Sequence, residues 1–411
     1  MDDTPECADH VSVTGHKIDL SLDHGFLGNC SSISSYESLD AIGEGAYGIV
    51  SRARDRRSGS VVALKQIRIL EYERNNGIPL TALREISILR SLRHQNVINV
   101  LEVAVDDAVL EDVYMVMEYC EKAVLKDLAS LIDVHKVQFS LAEVKCLARQ
   151  LLEGLEYLHR KDIIHRDIKM ENLLLTANGL LKIADFGLAR EWAPRPLTPG
   201  VVTIWYRAPE LLLGCSRYTS SIDIWSAGLF IGELLLQMPV LDGNTELEQL
   251  SQIAKLLGSP SPGDIVTLSS MGCPDLIKWQ RDSMPRGRVD NLERWFLSRS
   301  TKGTVKFLAS ILKWDPKARL SANEALGKSK SRFAAAAEDW WRESPRAAAK
   351  EQLPTLPAVE PVQDGKPRLH NDSSSKRQQA PESGPVDFGG FVFDFGDAEP
   401  ATKLPPRKRR R

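Results

Sequence analysis

The octet His165-Arg166-Asp167-Ile168-Lys169-Met170-Glu171-Asn172 sets a carboxylate, an ammonium and a carboxamide at fixed spacing in one short stretch. Asp167 can take a proton from a hydroxyl. Lys169 can neutralise a phosphoryl oxygen, and Asn172 can help to hold a hard cation. Charged loops are common, so the octet carries weight only if partner groups sit where such chemistry needs them.

Three further stretches supply those groups. Gly43-Glu44-Gly45-Ala46-Tyr47-Gly48-Ile49-Val50 reads G-x-G-x-x-G-x-V. Its glycines let backbone N–H groups come close over a triphosphate. Dinucleotide-binding folds share this spacing, but there the glycines open a helix; here they lie between two strand-like runs. On the next run Val62-Ala63-Leu64-Lys65 carries an inward ammonium that needs an anion. Glu85 is its candidate carboxylate partner, although alone it would read as a solvated helix face. Asp185-Phe186-Gly187 follows the strand-like Leu181-Lys182-Ile183-Ala184 and offers a second carboxylate for a cation. The tripeptide recurs at Asp387-Phe388-Gly389 and Asp394-Phe395-Gly396, where nothing nearby suits the same chemistry.

These residues require carriers. Ala41-Ile42, Ile49-Val50 and Val61 to Leu64 read as hairpin strands, with a turn at Arg57-Ser58-Gly59. Leu80, Leu83, Ile86 and Leu89 recur at helical spacing after Pro79, so a helix is predicted from Leu80 to Leu92. Val113 to Met117 reads as a strand. Ser140 is a predicted N-cap for a long helix from Leu141 to His159, and another helix is predicted from Ser221 to Leu236. The resulting expectation is an α+β chain with two lobes. A small β-rich lobe with one helix covers 36–117, a hinge 118–121, and a larger, mainly helical lobe 122–335. Residues 1–35 are expected to be a flexible arm and 336–411 a disordered tail ending in a basic cluster.

Composition fits an enzyme-sized core. The 411 residues are 43% hydrophobic with a formal net charge of -2. Near-neutrality argues against a dedicated nucleic-acid binder. The start Met1-Asp2-Asp3 has no basic, apolar leader, and no run of about 18 apolar residues suggests a membrane span. The six cysteines form no C-x-x-C pair, so neither zinc nor a disulfide framework is indicated, and a reducing, intracellular setting is expected.

Taken in order, the motifs resemble those of the eukaryotic protein kinases from Tyr36 to Phe333, and Lys169 fits the serine/threonine class. Gly77-Ile78-Pro79-Leu80-Thr81-Ala82-Leu83-Arg84-Glu85 resembles the cyclin-binding helix of cyclin-dependent kinases, nearest to their PISSLRE and PITSLRE branches. Tyr119-Cys120-Glu121, Asp127 to Leu131 and Thr198 to Thr203 point to the PISSLRE type. No tyrosine pairs with Thr198 in a T-x-Y, which disfavours a MAP kinase.

The resemblance implies a bilobal kinase fold that uses ATP and Mg2+. Asp167 would be the catalytic base, Lys169 would steady the γ-phosphate, and Thr203 would order both. Lys65, paired with Glu85, would engage the α- and β-phosphates, and Asp185 and Asn172 the metal. Ile42, Gly43, Glu44, Gly45, Ala46, Tyr47, Gly48, Val50 and Ala63 would line the ATP site. Backbone groups of Glu118 and Cys120 would hold adenine, with Met117 as gatekeeper. Substrates would carry Ser or Thr before Pro, read by Val201-Val202. Thr198 and Tyr47 would be regulatory phosphosites, with Arg84, Arg166 and Arg190 receiving the phosphate on Thr198. A cyclin would bind the Ile78–Glu85 region and turn its helix until Glu85 meets Lys65. Glu210 is expected to pair with Arg319, and Asp223 to brace the catalytic loop. The Arg407–Arg411 cluster suggests the nucleus.

An alternative is a catalytically weak, kinase-like scaffold for a cyclin with a nuclear interaction tail. That reading predicts loss of Lys65, Asp167, Asn172 or Asp185, and all four are present. Three features depart from the family pattern. Ala46 stands where many relatives have threonine, Lys122-Ala123-Val124-Leu125-Lys126 reads as an insertion after the hinge, and Gly327-Lys328-Ser329-Lys330 replaces an apolar helix ending.

Overall fold

The computed structural model describes residues 10–11, 17–18, 30–45, 48–67, 79–106, 112–119, 126–133, 136–176, 178–194, 196–198, 200–285, 291–329, 331 and 334–353. A two-residue ladder joins β1 (His10–Val11) and β2 (Lys17–Ile18). The small lobe is then built on β3 (Cys30–Ser32), β4 (Tyr36–Gly45), β5 (Gly48–Asp55), β6 (Val61–Gln66), the helix α1 (Leu80–Arg90), β7 (Val100–Val105) and β8 (Val113–Glu118). Its six-stranded sheet runs in the order β3-β7-β8-β6-β5-β4. Hairpin pairing is antiparallel throughout, and only β3 joins in parallel, on β7. The predicted turn lies between β5 and β6, where Gly59 takes φ 72° and its N–H donates to Asp55 O.

The expected flexible arm over 1–35 is corrected at its end, residues 30–35. Cys30–Ser32 is an edge strand, and Ile33–Ser35 is a helical turn leading into β4. The tie is local. Ser31 Oγ donates to Glu102 Oε2 at 2.6 Å, and the Tyr36 hydroxyl and Arg57 guanidinium both meet the other oxygen of Glu102. A three-residue polar strand carries too little alternation to be read from sequence.

The larger lobe follows as β9 (Lys126–Asp127), α2 (Leu128–Asp133), α3 (Leu141–His159), β10 (Ile163–Ile164), β11 (Leu173–Leu175), β12 (Leu181–Ile183) and β13 (Arg190–Glu191). Then come α4 (Pro209–Leu212), α5 (Ser221–Leu236), α6 (Glu246–Leu257), α7 (Pro262–Ser270), α8 (Leu276–Asp282), α9 (Leu292–Phe296), α10 (Lys302–Ile311), α11 (Ala322–Ala325) and α12 (Ala335–Arg342). Among the described residues, no helix is long and apolar enough to cross a membrane.

Helix α3 starts as its sequence dictates. Ser140 Oγ accepts from Glu143 N while the Glu143 carboxylate accepts from Ser140 N, a reciprocal capping box. Its buried face packs on α5 and on β12. Gly154 permits the second contact, because a Cβ there would lie 2.7 Å from Ile183 Cδ1. A buried amide network fixes the same junction. Asn96 Nδ2 donates to Leu181 O at 2.8 Å and to Gln150 Oε1 at 3.2 Å, and Gln150 Oε1 also accepts from Leu181 N. The strand that leads to Asp185 is thereby tied to the longest helix.

Cys215, just after α4, and Cys273, between α7 and α8, form a disulfide across 58 residues. This corrects the expectation that none was indicated. A pair so far apart in sequence leaves no local spacing signal.

The tail expected from residue 336 also begins later than composition suggests. Helix α12 buries Trp340, whose ring stacks on Phe307 of α10 at 3.9 Å. Lys145 of α3 is fully buried beneath it, and its ammonium donates to the carbonyls of Trp340, Glu343 and Pro345 at 2.6, 2.9 and 2.9 Å. Residues 335–353 therefore belong to the folded lobe. Lys145→Met keeps the aliphatic packing but leaves buried carbonyls without a donor, so a loss of about 3–5 kcal/mol is expected. Trp340→Ala should cost a similar ~3–5 kcal/mol by opening a cavity. Urea unfolding checks both; wild-type midpoints would mean that this segment is not docked.

Candidate active site

The sequence predicts the site in pieces, and the fold assembles most of them in the cleft between the lobes. The loop carrying Asp167 is held by one buried carboxylate of α5, that of Asp223. Asp223 Oδ2 accepts from His165 N at 3.0 Å, and Asp223 Oδ1 accepts from Arg166 N at 2.9 Å. His159 Nε2, at the end of α3, lies 2.9 Å from Asp223 Oδ2. Those bonds hold Arg166 at φ 69°, a left-handed conformation that a side-chain-bearing residue adopts only at a cost. Burial pushes the Asp223 carboxyl up, but His159, His165 and the Arg166 amide outweigh it and hold the group below the ordinary carboxylate value.

Asp167 is buried at the centre of a small network. Asn172 Nδ2 donates to its Oδ2 at 2.8 Å, Lys169 Nζ lies 3.1 Å from Oδ2, and Thr203 Oγ1 donates to Oδ1 at 3.3 Å. Lys169 Nζ also donates to Thr203 Oγ1 at 3.1 Å. A carboxylate so surrounded keeps one orientation toward the cleft. Burial disfavours the charge on Lys169, yet Asp167 and Glu171 more than compensate and raise its pKa above the ordinary lysine value.

Across the cleft, Lys65 Nζ donates to Glu85 Oε1 at 2.8 Å and lies 3.6 Å from Asp185 Oδ1. The single chain thus has the strand lysine and helix glutamate already paired, whereas the sequence reading has Glu85 arriving only when a partner turns the helix. Burial disfavours the Lys65 charge, but Glu85 and Asp185 prevail and raise its pKa. Asp185 sits at φ 60°, Phe186 is fully buried, and its ring meets His165 edge-on at 4.7 Å. Asn172 commits its Nδ2 to Asp167, and its Oδ1 has no protein partner among the described residues. Asp185 and Asn172 so provide one carboxylate and one amide oxygen, the hard donors that Mg2+ takes together with phosphate oxygens.

The glycine stretch forms the β4–β5 hairpin end, with Gly43 opposite Val50 and Gly45 opposite Gly48. Strand pairing sets Val50 opposite Lys65, and Ala63 opposite Met117, on neighbouring strands. Backbone is described for Ile42, Gly43, Glu44, Gly45 and Gly48; Ala46, Tyr47, Ile78, Cys120 and residues 122–125 lie outside the described residues. Glu118 N donates to Asn99 O at 3.1 Å. Its carboxylate accepts from Asn99 N and from the buried Lys182 Nζ, both at 2.8 Å. Sequence reasoning missed this strut between the hinge and β12.

Of the three arginines, Arg166 is buried and donates to Leu188 O and to Tyr218 Oη at 2.7 Å each. Arg190 donates to Ala189 O and also acts electrostatically on Tyr218. Arg84 is on the exposed face of α1 and makes no ion pair among the described residues. Thr198 is exposed, and its carbonyl accepts from Tyr218 Oη at 2.6 Å. Tyr218, which no motif flagged, therefore joins the Thr198 backbone to Arg166. Farther along, Val202 takes φ 68° with its carbonyl held by Arg207 Nε and Nη2. Arg319 grips Glu210 in a fully buried bidentate pair, 2.6 Å on both arms.

The sequence matches the protein kinase domain family over residues 36–329. It is 42% identical over 333 residues to human cyclin-dependent kinase 10, covering 80% of this chain and 86% of that protein. Rice cyclin-dependent kinase G-2 is also 42% identical, over 81% of this chain and 45% of that protein. Among solved structures, a chain of the yeast RNA Pol II CTD kinase CTDK-1 complex superposes with a TM-score of 0.65 at 34% identity, covering 77% of this chain and 96% of that one. A chain of the Chaetomium thermophilum CAK complex bound to ATP-gamma-S gives 0.67 at 34% identity, covering 78% and 95%.

Because the folded Asp223 carboxyl lies below its ordinary value of 3.8, its contribution to stability is complete above that pH and is lost as pH falls through the folded value. Asp223→Asn should cost about 3 kcal/mol at pH 6. The gap from wild type should stay flat down to about pH 4 and narrow below it. Urea titrations at stepped pH read this directly, and a gap that widens in acid would refute the assignment.

Proposed function

This chain belongs to the protein kinases and, within them, to the cyclin-dependent kinases, so it is a serine/threonine phosphotransferase; from that premise we propose that it passes the γ-phosphoryl group of Mg-ATP to serine or threonine followed by proline. The observation that carries the proposal is the Asp167 carboxylate, fixed by Lys169, Asn172 and Thr203 and faced by the Lys65–Glu85–Asp185 set. In phosphoryl transfer, positioning and charge stabilisation do most of the work. Asp167 accepts the hydroxyl proton of the substrate, and Lys169 faces the charge that develops on the moving group. Lys65, oriented by Glu85, meets the α- and β-phosphates. Asp185 and Asn172 would hold Mg2+, which when bound neutralises phosphate charge. Glycine backbone over 43–48 and the backbone of Glu118 and Cys120 would seat the nucleotide. Val202 sits at φ 68° with its buried carbonyl committed to Arg207, which suits a substrate proline that offers no N–H.

A cyclin is the proposed partner of the α1 face. Leu80 and Leu83 are exposed at 75% and 45% on the first turns of that helix, an apolar surface that a partner would cover. With Glu85 already on Lys65, the cyclin would hold the pair rather than create it. Phosphate on Thr198 would bring about two negative charges to Arg166 and Arg190, with Arg84 reaching in from α1. Two or three charge-assisted hydrogen bonds at roughly 1.5–3 kcal/mol each are enough to bias an activation segment by about a hundredfold or more.

One peptide assay tests the chemistry and the switch together, with Ser-Pro and Ser-Ala peptides, with and without cyclin. Asp185→Ala should lose about a thousandfold or more of kcat/KM. Thr198→Ala should lower the cyclin complex by at least about tenfold. Full activity of the Asp185 variant would sink the mechanism; equal rates for cyclin-free Thr198→Ala and the phosphorylated complex would sink the switch.

The proposed residence is the nucleus, in cell-cycle or transcription control. Its support is Pro405-Pro406-Arg407-Lys408-Arg409-Arg410-Arg411, which lies outside the described residues. A neutral reporter fused to residues 396–411 should concentrate in nuclei, and the Arg407→Ala/Lys408→Ala/Arg409→Ala version should not. An even cytoplasmic spread of the first reporter would dispose of this reading.

A further inference from the structure

A cavity of about 370 Å³ lies on the larger lobe, walled in part by Arg149 of α3, by Glu338, Trp341 and Arg342 of α12, and by Arg346 beyond it. Its charge is lopsided. Glu338 is spent on Arg342, 3.2 Å away. Arg149 lies over the Trp341 ring at 4.8 Å, a cation held against an aromatic face. Arg149 and Arg346 make no ion pair among the described residues. The cavity therefore offers two unneutralised guanidiniums beside an indole and the apolar Leu326. Guanidinium forks favour carboxylates, and an aromatic wall favours flat apolar side chains.

The chain itself contains one segment of that chemistry. Residues 387–399 carry Asp387, Asp394, Asp397 and Glu399, four phenylalanines at 388, 391, 393 and 395, and no lysine or arginine. The kinase reaction gives this segment no task. The described chain ends close to the cavity in sequence, since Arg346 lines it and the last described residue, Leu353, comes seven positions later. The spacer between Leu353 and Asp387 is 33 residues long. A flexible spacer of that length has a root-mean-square reach of roughly 30 Å. Tethering then supplies an effective concentration on the order of millimolar, so a modest site is filled without a second molecule. The basic end, Arg407–Arg411, could neutralise the same carboxylates, but it would leave the phenylalanines without an apolar surface.

We infer that this cavity is a docking site for the chain's own acidic, aromatic segment 387–399. Carboxylates of the segment meet Arg149 and Arg346, and a phenylalanine packs against Trp341 and Leu326. The site is separate from the catalytic cleft and stands whether or not the proposed substrate class is right.

The test uses the full-length protein with a benzoylphenylalanine photo-crosslinker in place of Phe391, irradiated at nanomolar concentration. Mass spectrometry should find an intramolecular crosslink to the peptides that hold Arg149 or Trp341. Arg149→Glu/Arg346→Glu should lower its yield about fivefold or more, as loss of two surface-grade ion pairs requires. Adding Asp394→Arg/Asp397→Arg should restore it. Arg346→Glu alone, at an exposed position after α12, repeats the loss should the Arg149 change disturb α3. Crosslinks to 403–411, to another face, or between two molecules would overturn the proposal, as would a yield indifferent to charge reversal.

Discussion

Everything chemical in this kinase hangs from a carboxylate that never touches substrate. Asp223 is buried on α5, and its two oxygens take the amide protons of His165 and Arg166 and the ring of His159. Placing a charge there is costly unless donors surround it, and removing one donor strands the rest. The loop accepts a left-handed Arg166 in exchange for those bonds. Once Arg166 is turned, its side chain reaches Leu188 O and Tyr218 Oη, so the activation segment is referenced to the same buried charge. His165 Nε2 in turn donates to Ala184 O, 3.0 Å away, and the ring packs on Phe186. The metal-holding turn and the proton-accepting loop are positioned by one anchor.

The upper half of the cleft is referenced differently. Lys65 is fixed by sheet register, between Val50 on one side and Met115 on the other. Glu85 comes from α1, whose buried residues join the core that continues into the larger lobe. Among the described residues, the other face of the sheet has a small separate cluster around Tyr36, Ala53, Val62, Leu64, Ala104 and Val116. Stability there is expected to be lower, because few apolar side chains are buried on that side. Helix α1 carries Glu85 and, on its first turns, the exposed Leu80 and Leu83, so a contact on that surface bears directly on the Lys65–Glu85 pair.

What could be read from the sequence was what chemistry restricts to a few residue types. Asp167, Lys169, Asn172, Lys65, Glu85, Asp185, Glu210, Arg319 and Asp223 each stand in a spacing that local structure must preserve, and the fold puts them in mutual reach. Long amphipathic helices with capping boxes, α3 above all, were equally legible. The unread parts share a cause: they are settled by contacts distant in sequence. Edge strand β3 exists because Glu102 receives Ser31 and Tyr36. Lys182 looks like a solvated strand lysine until the hinge carboxylate of Glu118 arrives from 64 residues away. Tyr218 matters only because both Thr198 O and Arg166 converge on it.

The C-terminal boundary shows the same limit and adds a physical point. The disordered tail expected from residue 336 would begin inside an alanine-rich stretch, Ala334 to Ala337, yet Trp340 and Trp341 follow closely and both rings meet Phe307. Two adjacent tryptophans can face different neighbours on a short helix. Trp340 goes to the core, with its indole N–H on Thr304 Oγ1, while Trp341 caps α11 by donating to Ala325 O. The Lys145 ammonium ties down the chain after them, because three carbonyls within and just beyond α12, those of Trp340, Glu343 and Pro345, are its only described hydrogen-bond acceptors. A buried cation with no carboxylate at its head is stable only while that chain stays in place. The folded unit is thus closed by a segment lying outside its catalytic machinery, and it is this segment that sets where the remaining tail departs.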